Sequence, residues 1–161
     1  MSEHTAHTHF PGRLIFIGFG SIGQGVLPLV LRHVGIPAER VTIVTAEDRG
    51  VAEAGQYGVK FIKEPLTREN FRRILEPLVG RGDFVLNVSV EVSSIALVKY
   101  CWERGAMYLD TCIEPWAGGY TDPTLDPGRR TNYALRDDML ALRTDPTARN
   151  PTAIITHGAN P

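Results

Sequence analysis

Gly18, Gly20 and Gly23 follow the apolar stretch 14–17 at G-x-G-x-x-G spacing, and a helical apolar pattern over residues 26–31 comes next. That spacing can seat a pyrophosphate. Gly18 allows the tight turn, Gly20 lets the backbone approach the phosphates, and Gly23 lets a helix pack close to a sheet. The free amides of the first helical turn, at Ser21, Ile22 and Gly23, then face the anion. A second group comprises Glu91, Asp110, Glu114 and Trp116. Carboxylates pair with ammonium groups and an indole face adds cation–π attraction, so these residues suit a cationic substrate. Glu91 and Glu114 are also open to a plain reading as solvated acids.

Other chemistries find no support. The polar groups of these segments contain no Ser-His-Asp arrangement, no Walker-type lysine and no metal cluster, and His4, His7 and His9 lack carboxylate or thiolate partners. Residues 1–12 therefore read as a flexible, solvated tail. Seventeen basic and 18 acidic residues give a net charge of −1 without like-charge blocks, which argues against a nucleic-acid or anionic-membrane surface. No run approaches the roughly 18 apolar residues of a membrane span and no signal pattern opens the chain, so a cytosolic protein is the default. Cys101 and Cys112 fit a reducing compartment.

The elements that must position these groups alternate. Strands are expected over residues 13–17, 41–45, 59–62, 84–88, 107–109 and 152–156. Helices are expected after the glycine turn to residue 34 (through Pro28), over 68–79 with Thr67 as its cap, over 93–104, and from Thr131 or Asn132 to 143. This pattern predicts an α/β fold: a Rossmann-type doubly wound parallel sheet of about six strands, helices on both faces, within one domain over 13–161. Ligands of such sheets lie outside the carboxyl ends of the strands. Glu47 and Asp48, after the second strand, are candidates for the adenosine ribose and favour NAD, although Arg49 could accept a 2′-phosphate. Asn87, Val88 and Ser89 end the fourth strand and are candidates for the nicotinamide-side ribose or phosphate, or else helix caps. Asp110 and Thr111 end the fifth. The long segment 117–131 is a candidate functional loop.

The motifs Ile15-Phe16-Ile17-Gly18-Phe19-Gly20-Ser21-Ile22-Gly23, Leu86-Asn87-Val88-Ser89, Tyr108-Leu109-Asp110-Thr111-Cys112-Ile113-Glu114-Pro115-Trp116 and Thr156-His157-Gly158-Ala159-Asn160-Pro161 together resemble bacterial homospermidine synthase, over essentially the whole chain. The first is shared with the related saccharopine dehydrogenases; the last two are far more particular. The resemblance implies NAD as a tightly held hydride store and condensation of two putrescines to homospermidine, with ammonia released through imine intermediates. It implies a homodimer of longer chains, with a second domain completing the pocket, and agrees with the ending of this sequence directly after an expected core strand. The portion 1–161 alone is then expected to bind NAD without turnover. Glu114 is the candidate catalytic group, with Glu91, Trp116 and Asn160 as substrate contacts and Asn160 also open to the nicotinamide amide. The alternatives are a saccharopine-dehydrogenase-like NAD(P)-dependent oxidoreductase, using Arg129, Arg130 and Arg136 for substrate carboxylates, and a non-catalytic NAD redox sensor.

Overall fold

Leu14–Ile17 is apolar at all four positions, as a strand covered on both faces must be, and all four side chains are buried. The computed structural model describes residues 5–143 and 149–156. Its strands are β1 (Thr8–His9), β2 (Leu14–Ile17), β3 (Val34–Gly35), β4 (Val41–Thr45), β5 (Lys60–Lys63), β6 (Phe84–Asn87), β7 (Met107–Asp110) and β8 (Ala153–Ile154). The α-helices are α1 (Ser21–His33), α2 (Val51–Gln56), α3 (Phe71–Leu75), α4 (Ser94–Arg104) and α5 (Asn132–Leu140). The six-stranded sheet has the order β5-β4-β2-β6-β7-β8 and is parallel at every pairing. Taken in chain order, its strands stand third, second, first, fourth, fifth, sixth. This is the doubly wound order, which reverses between β2 and β6 and opens a crevice there.

Alternation along β2 divides the core. Leu14 and Phe16 pack with Leu27 of α1 and Ala54 of α2 on one face, while Ile15 and Ile17 pack on the other with Leu75 of α3, Leu97 and Cys101 of α4 and Met139 of α5. Local chemistry sets the ends of α4. Ser93 Oγ accepts the Ala96 N–H at 3.3 Å, and Gly105, at φ +73°, closes the last turn with Ala106 N–H on the Cys101 carbonyl at 2.8 Å. The α4 cap is thus Ser93, and Asn87 and Ser89 do not serve as caps.

Two further expectations change. Helix α3 is much shorter than 68–79: Asn70 Oδ1 takes the Thr67 N–H at 2.7 Å and Asn70 Nδ2 donates to the Pro65 carbonyl at 3.0 Å, holding a turn where helix was expected. Pro77, just beyond it, brings no N–H to extend the ladder. The second change concerns the leading segment. Residues 7–10, expected as solvated tail, lie against the end of α1: β1 runs parallel to β3, His7 N–H donates to the His33 carbonyl at 2.8 Å, and Phe10 N–H donates to the Gly35 carbonyl at 3.2 Å. The His7 and His33 rings stack at 5.4 Å. Pro28 sits inside α1, which runs through it.

The amino end of the sheet is fastened by Asp83. Its carboxylate accepts the Arg13 N–H, Nε and Nη2 at 2.8, 3.0 and 2.7 Å and the Gly80 N–H at 2.7 Å, and is nearly buried. Asp83→Ala should destabilise the protein by about 3 kcal/mol, because it strips two backbone amides of their acceptor as well as breaking the ion pair. Urea unfolding of the complete protein measures it, and a loss below about 1 kcal/mol would show the fastening to be idle.

Candidate functional site

The three glycines of the turn differ in what a side chain would meet. At Gly18, with φ +84°, a Cβ would stand 2.8 Å from Ser89 Cα, and at Gly23 it would stand 2.9 Å from the Phe19 ring. Both are closed by the protein's own packing. At Gly20 a Cβ would meet nothing within 4 Å. The space over Gly20 is a cradle that the chain leaves open, and Gly20 caps α1 without a side-chain acceptor for the first-turn amides. The helix opens with Gln24 N–H on the Gly20 carbonyl at 3.0 Å, and Gly18 N–H is tied to the Val44 carbonyl at 2.8 Å. Ser21 and Ile22 are exposed at this end and Gly23 is buried beneath it.

This turn forms one wall of a crevice of about 480 Å³ across the carboxyl ends of β2, β4, β5 and β6. Gly18, Gly20, Glu47, Val88, Ser89 and Glu91 line it. Of the two acids after β4, Glu47 faces the crevice and stands 3.5 Å from Arg49, which also lines it. Asp48 is not a lining residue: its carboxylate reaches to Lys63 Nζ at 2.9 Å, and that bond holds it below the usual carboxylate range. Glu64 and Thr67, after β5, also line the crevice and were missed in the sequence, although the carboxyl-end rule applies to that strand too.

Several candidates turn inward. Asn87 and Asp110 are buried, bonded to neighbouring strand ends rather than presented to the crevice. Asp110 Oδ1 accepts the Thr156 N–H at 2.8 Å, and burial raises its carboxyl above the usual value. Thr111 is half-buried and donates its N–H to the Asn87 carbonyl at 3.3 Å. Trp116 is placed away from the crevice: its ring packs on Phe71 at 5.3 Å and lines a separate hollow in front of the loop 117–131. Asn160 lies outside the described residues.

Glu114 stands just behind the crevice wall, 8% exposed. The start of α4 grips its backbone from both sides: Glu114 N–H donates to Ser94 Oγ at 3.0 Å and Ser94 N–H donates to the Glu114 carbonyl at 2.9 Å. Oε2 faces the Glu91 N–H at 3.4 Å, and Glu91 holds φ +60°, a left-handed conformation costly for glutamate and kept here beside that carboxylate. Burial raises the Glu114 carboxyl, while the Glu91 N–H and the Cys112 thiol act to lower it. Burial and the Glu114 charge push the Cys112 thiol to about 11 and the Tyr120 hydroxyl to about 12, so both stay protonated near neutrality. Ser94 had no distinguishing pattern in the sequence, and Cys112 stood inside the 108–116 motif without a role assigned to it. The arrangement presents a shielded carboxyl, able to exchange a proton, next to a dinucleotide-sized crevice.

Among the described residues no group of His, Cys, Asp and Glu has a metal-binding arrangement, and no helix is long and apolar enough to cross a membrane. Strand order, glycine turn and crevice together define a Rossmann-type dinucleotide-binding domain. The model of the saccharopine dehydrogenase NADP binding domain matches residues 14–154, and the chain belongs to that family. It is similar to the homospermidine synthase of Blastochloris viridis, 40% identical over 164 residues covering 100% of this chain and 34% of the relative. It is also similar to that of Mesorhizobium japonicum, 39% identical over 153 residues, covering 93% and 31%. The crystal structure of the homospermidine synthase from Legionella pneumophila in complex with NAD superposes with a TM-score of 0.80 at 37% identity, covering 94% of this chain and 30% of that one. The chain thus spans about a third of the length of these relatives.

Proposed function

We propose that the chain is the NAD-binding domain of a homospermidine synthase, which condenses two putrescines to homospermidine and ammonia. The observation that carries this reading is the open cradle over Gly20 beside a buried glutamate. The dinucleotide relies on the Gly18–Gly23 turn and first-turn amides for its diphosphate and on Glu47 for its adenosine ribose, an acid that disfavours a 2′-phosphate. Bound NAD supplies a reversible hydride acceptor, so that an amine-bearing carbon can be oxidised to an imine and a new imine reduced, with no net oxidation. The exposed Glu91 makes the rim negative and, with Glu114 buried behind it, attracts a diammonium substrate. Glu114 takes the proton that the reacting amine must lose. The complete enzyme so read is a homodimer.

Putrescine given to the complete protein with catalytic NAD should yield homospermidine and ammonia without accumulating NADH. Stoichiometric NADH would overturn this reading in favour of a dehydrogenase of the saccharopine type, the reading that the family's name favours. The arginines that such a substrate would need are partly engaged already: Arg129 pairs with Asp138 at 3.1 Å and Arg136 with Asp137 at 3.4 Å.

Glu114 also sets a pH expectation. A proton acceptor works in its ionised form, and burial raises the pH at which that form appears above the usual carboxylate value of 4.5. The acid limb of kcat/KM should therefore lie above 4.5 and rise with pH, and Glu114→Gln should abolish that limb. A limb at or below 4.5, or one that survives the substitution, would remove Glu114 from the proton transfer.

A further inference from the structure

Behind the crevice, buried polar atoms form one chain of hydrogen bonds across the ends of β6, β7 and β8. Both of its ends meet backbone amides, which can only donate. At one end the Thr156 N–H donates to Asp110 Oδ1 at 2.8 Å; at the other the Ser89 N–H donates to Asn87 Oδ1 at 3.2 Å. The second contact fixes the Asn87 amide with its oxygen toward Ser89 and its Nδ2 toward Tyr108, whose hydroxyl accepts at 3.0 Å. The single Tyr108 hydrogen goes to Asp110 Oδ2 at 3.3 Å, and the Ser94 hydroxyl joins the chain there as a further hydrogen-bond partner of both residues. The Ser89 hydroxyl lies 2.6 Å from the same Asn87 Oδ1, which has no hydrogen to give, so Ser89 donates inward. What Ser89 turns to the crevice it lines is lone pairs alone.

We infer that Asn87, fixed by Tyr108 and Asp110, holds Ser89 as an obligate acceptor, so that Ser89 takes a hydroxyl of the nicotinamide-side ribose and turns a phosphate away. The inference rests on the dinucleotide reading. It assigns the nicotinamide side because Ser89 follows β6, in the second half of the sheet, whereas the adenosine-side acid follows β4 in the first. A ribose hydroxyl brings the hydrogen that Ser89 lacks; a phosphate oxygen would bring further lone pairs against it. Asn87, Tyr108 and Asp110 are positioning residues, since none of them lines the crevice.

The probe is NAD in which fluorine replaces the 2′- or the 3′-hydroxyl of the nicotinamide ribose, because fluorine can accept but cannot donate. In calorimetry on the complete protein, one of the two analogues should bind about tenfold more weakly than NAD. Ser89→Ala should bind NAD about tenfold more weakly and lose that discrimination. Asn87→Ala frees the Ser89 hydroxyl to donate outward and should narrow the discrimination toward unity while NAD still binds. Because Asn87 is buried, a failure of that variant to fold leaves the decision with the wild-type protein and Ser89→Ala, whose side chain lies on the crevice wall. Tight NAD binding with both analogues bound equally well, or with Ser89→Ala unchanged, overturns the inference. An absence of NAD binding by the wild-type protein would instead overturn the dinucleotide reading beneath it.

Discussion

Gly20→Val should lower the affinity of the complete protein for NAD by at least about 100-fold while thermal unfolding stays close to that of the parent without cofactor. The two halves of this expectation come from one observation: a Cβ at Gly20 meets no protein atom within 4 Å, so a larger side chain grows into the crevice and not into the fold. The neighbouring glycines supply the contrast. Gly18→Ala drives a methyl against Ser89 backbone atoms at a positive φ, and Gly23→Ala drives one against Phe19, so both should damage stability as well as binding. Calorimetric titration with NAD, paired with scanning fluorimetry, separates the cases. Undiminished affinity in Gly20→Val would show that the diphosphate lies elsewhere.

Glu114→Gln should reduce kcat by about 100- to 1,000-fold in the complete enzyme and leave NAD affinity within a few-fold. The amide keeps the size of the side chain and can keep the Glu91 N–H as a donor to its oxygen, so the Ser94 clamp on the backbone and the shape of the wall persist. What the substitution removes is the carboxylate charge and its basicity, the two properties that the proposed proton transfer from an ammonium requires. Steady-state kinetics with putrescine, together with NAD titration, measure both quantities. Turnover equal to that of the parent would leave Glu114 a structural acid.

The sheet was largely legible in the sequence because strands covered on both faces carry their burial in composition, as in Leu14–Ile17 and Val41–Thr45. The glycine turn was legible for a related reason: its spacing records backbone geometry. The extent of α3 was not, since it depends on bonds made locally by Asn70 and on Pro77. For the polar residues at strand ends, sequence gives location but not direction. Glu47 and Asp48 are adjacent, yet only the first faces the crevice, because Lys63 on the next strand draws the second away. Asp110 turns inward because its partner is the amide of Thr156, 46 residues further along. Trp116 looked suited to a cation and instead packs on Phe71. Such choices are made by cross-strand neighbours whose identity no local pattern states.

The strip of backbone at residues 7–10 bears on how the protein is best prepared. A shortened version beginning near Arg13 would leave the carbonyls of His33 and Gly35 without their amide partners, at the point where the first helix hands over to the next strand. Expression vectors that trim this lead, or crowd it with a purification tag, would loosen the exit of the very helix whose other end carries the open glycine turn.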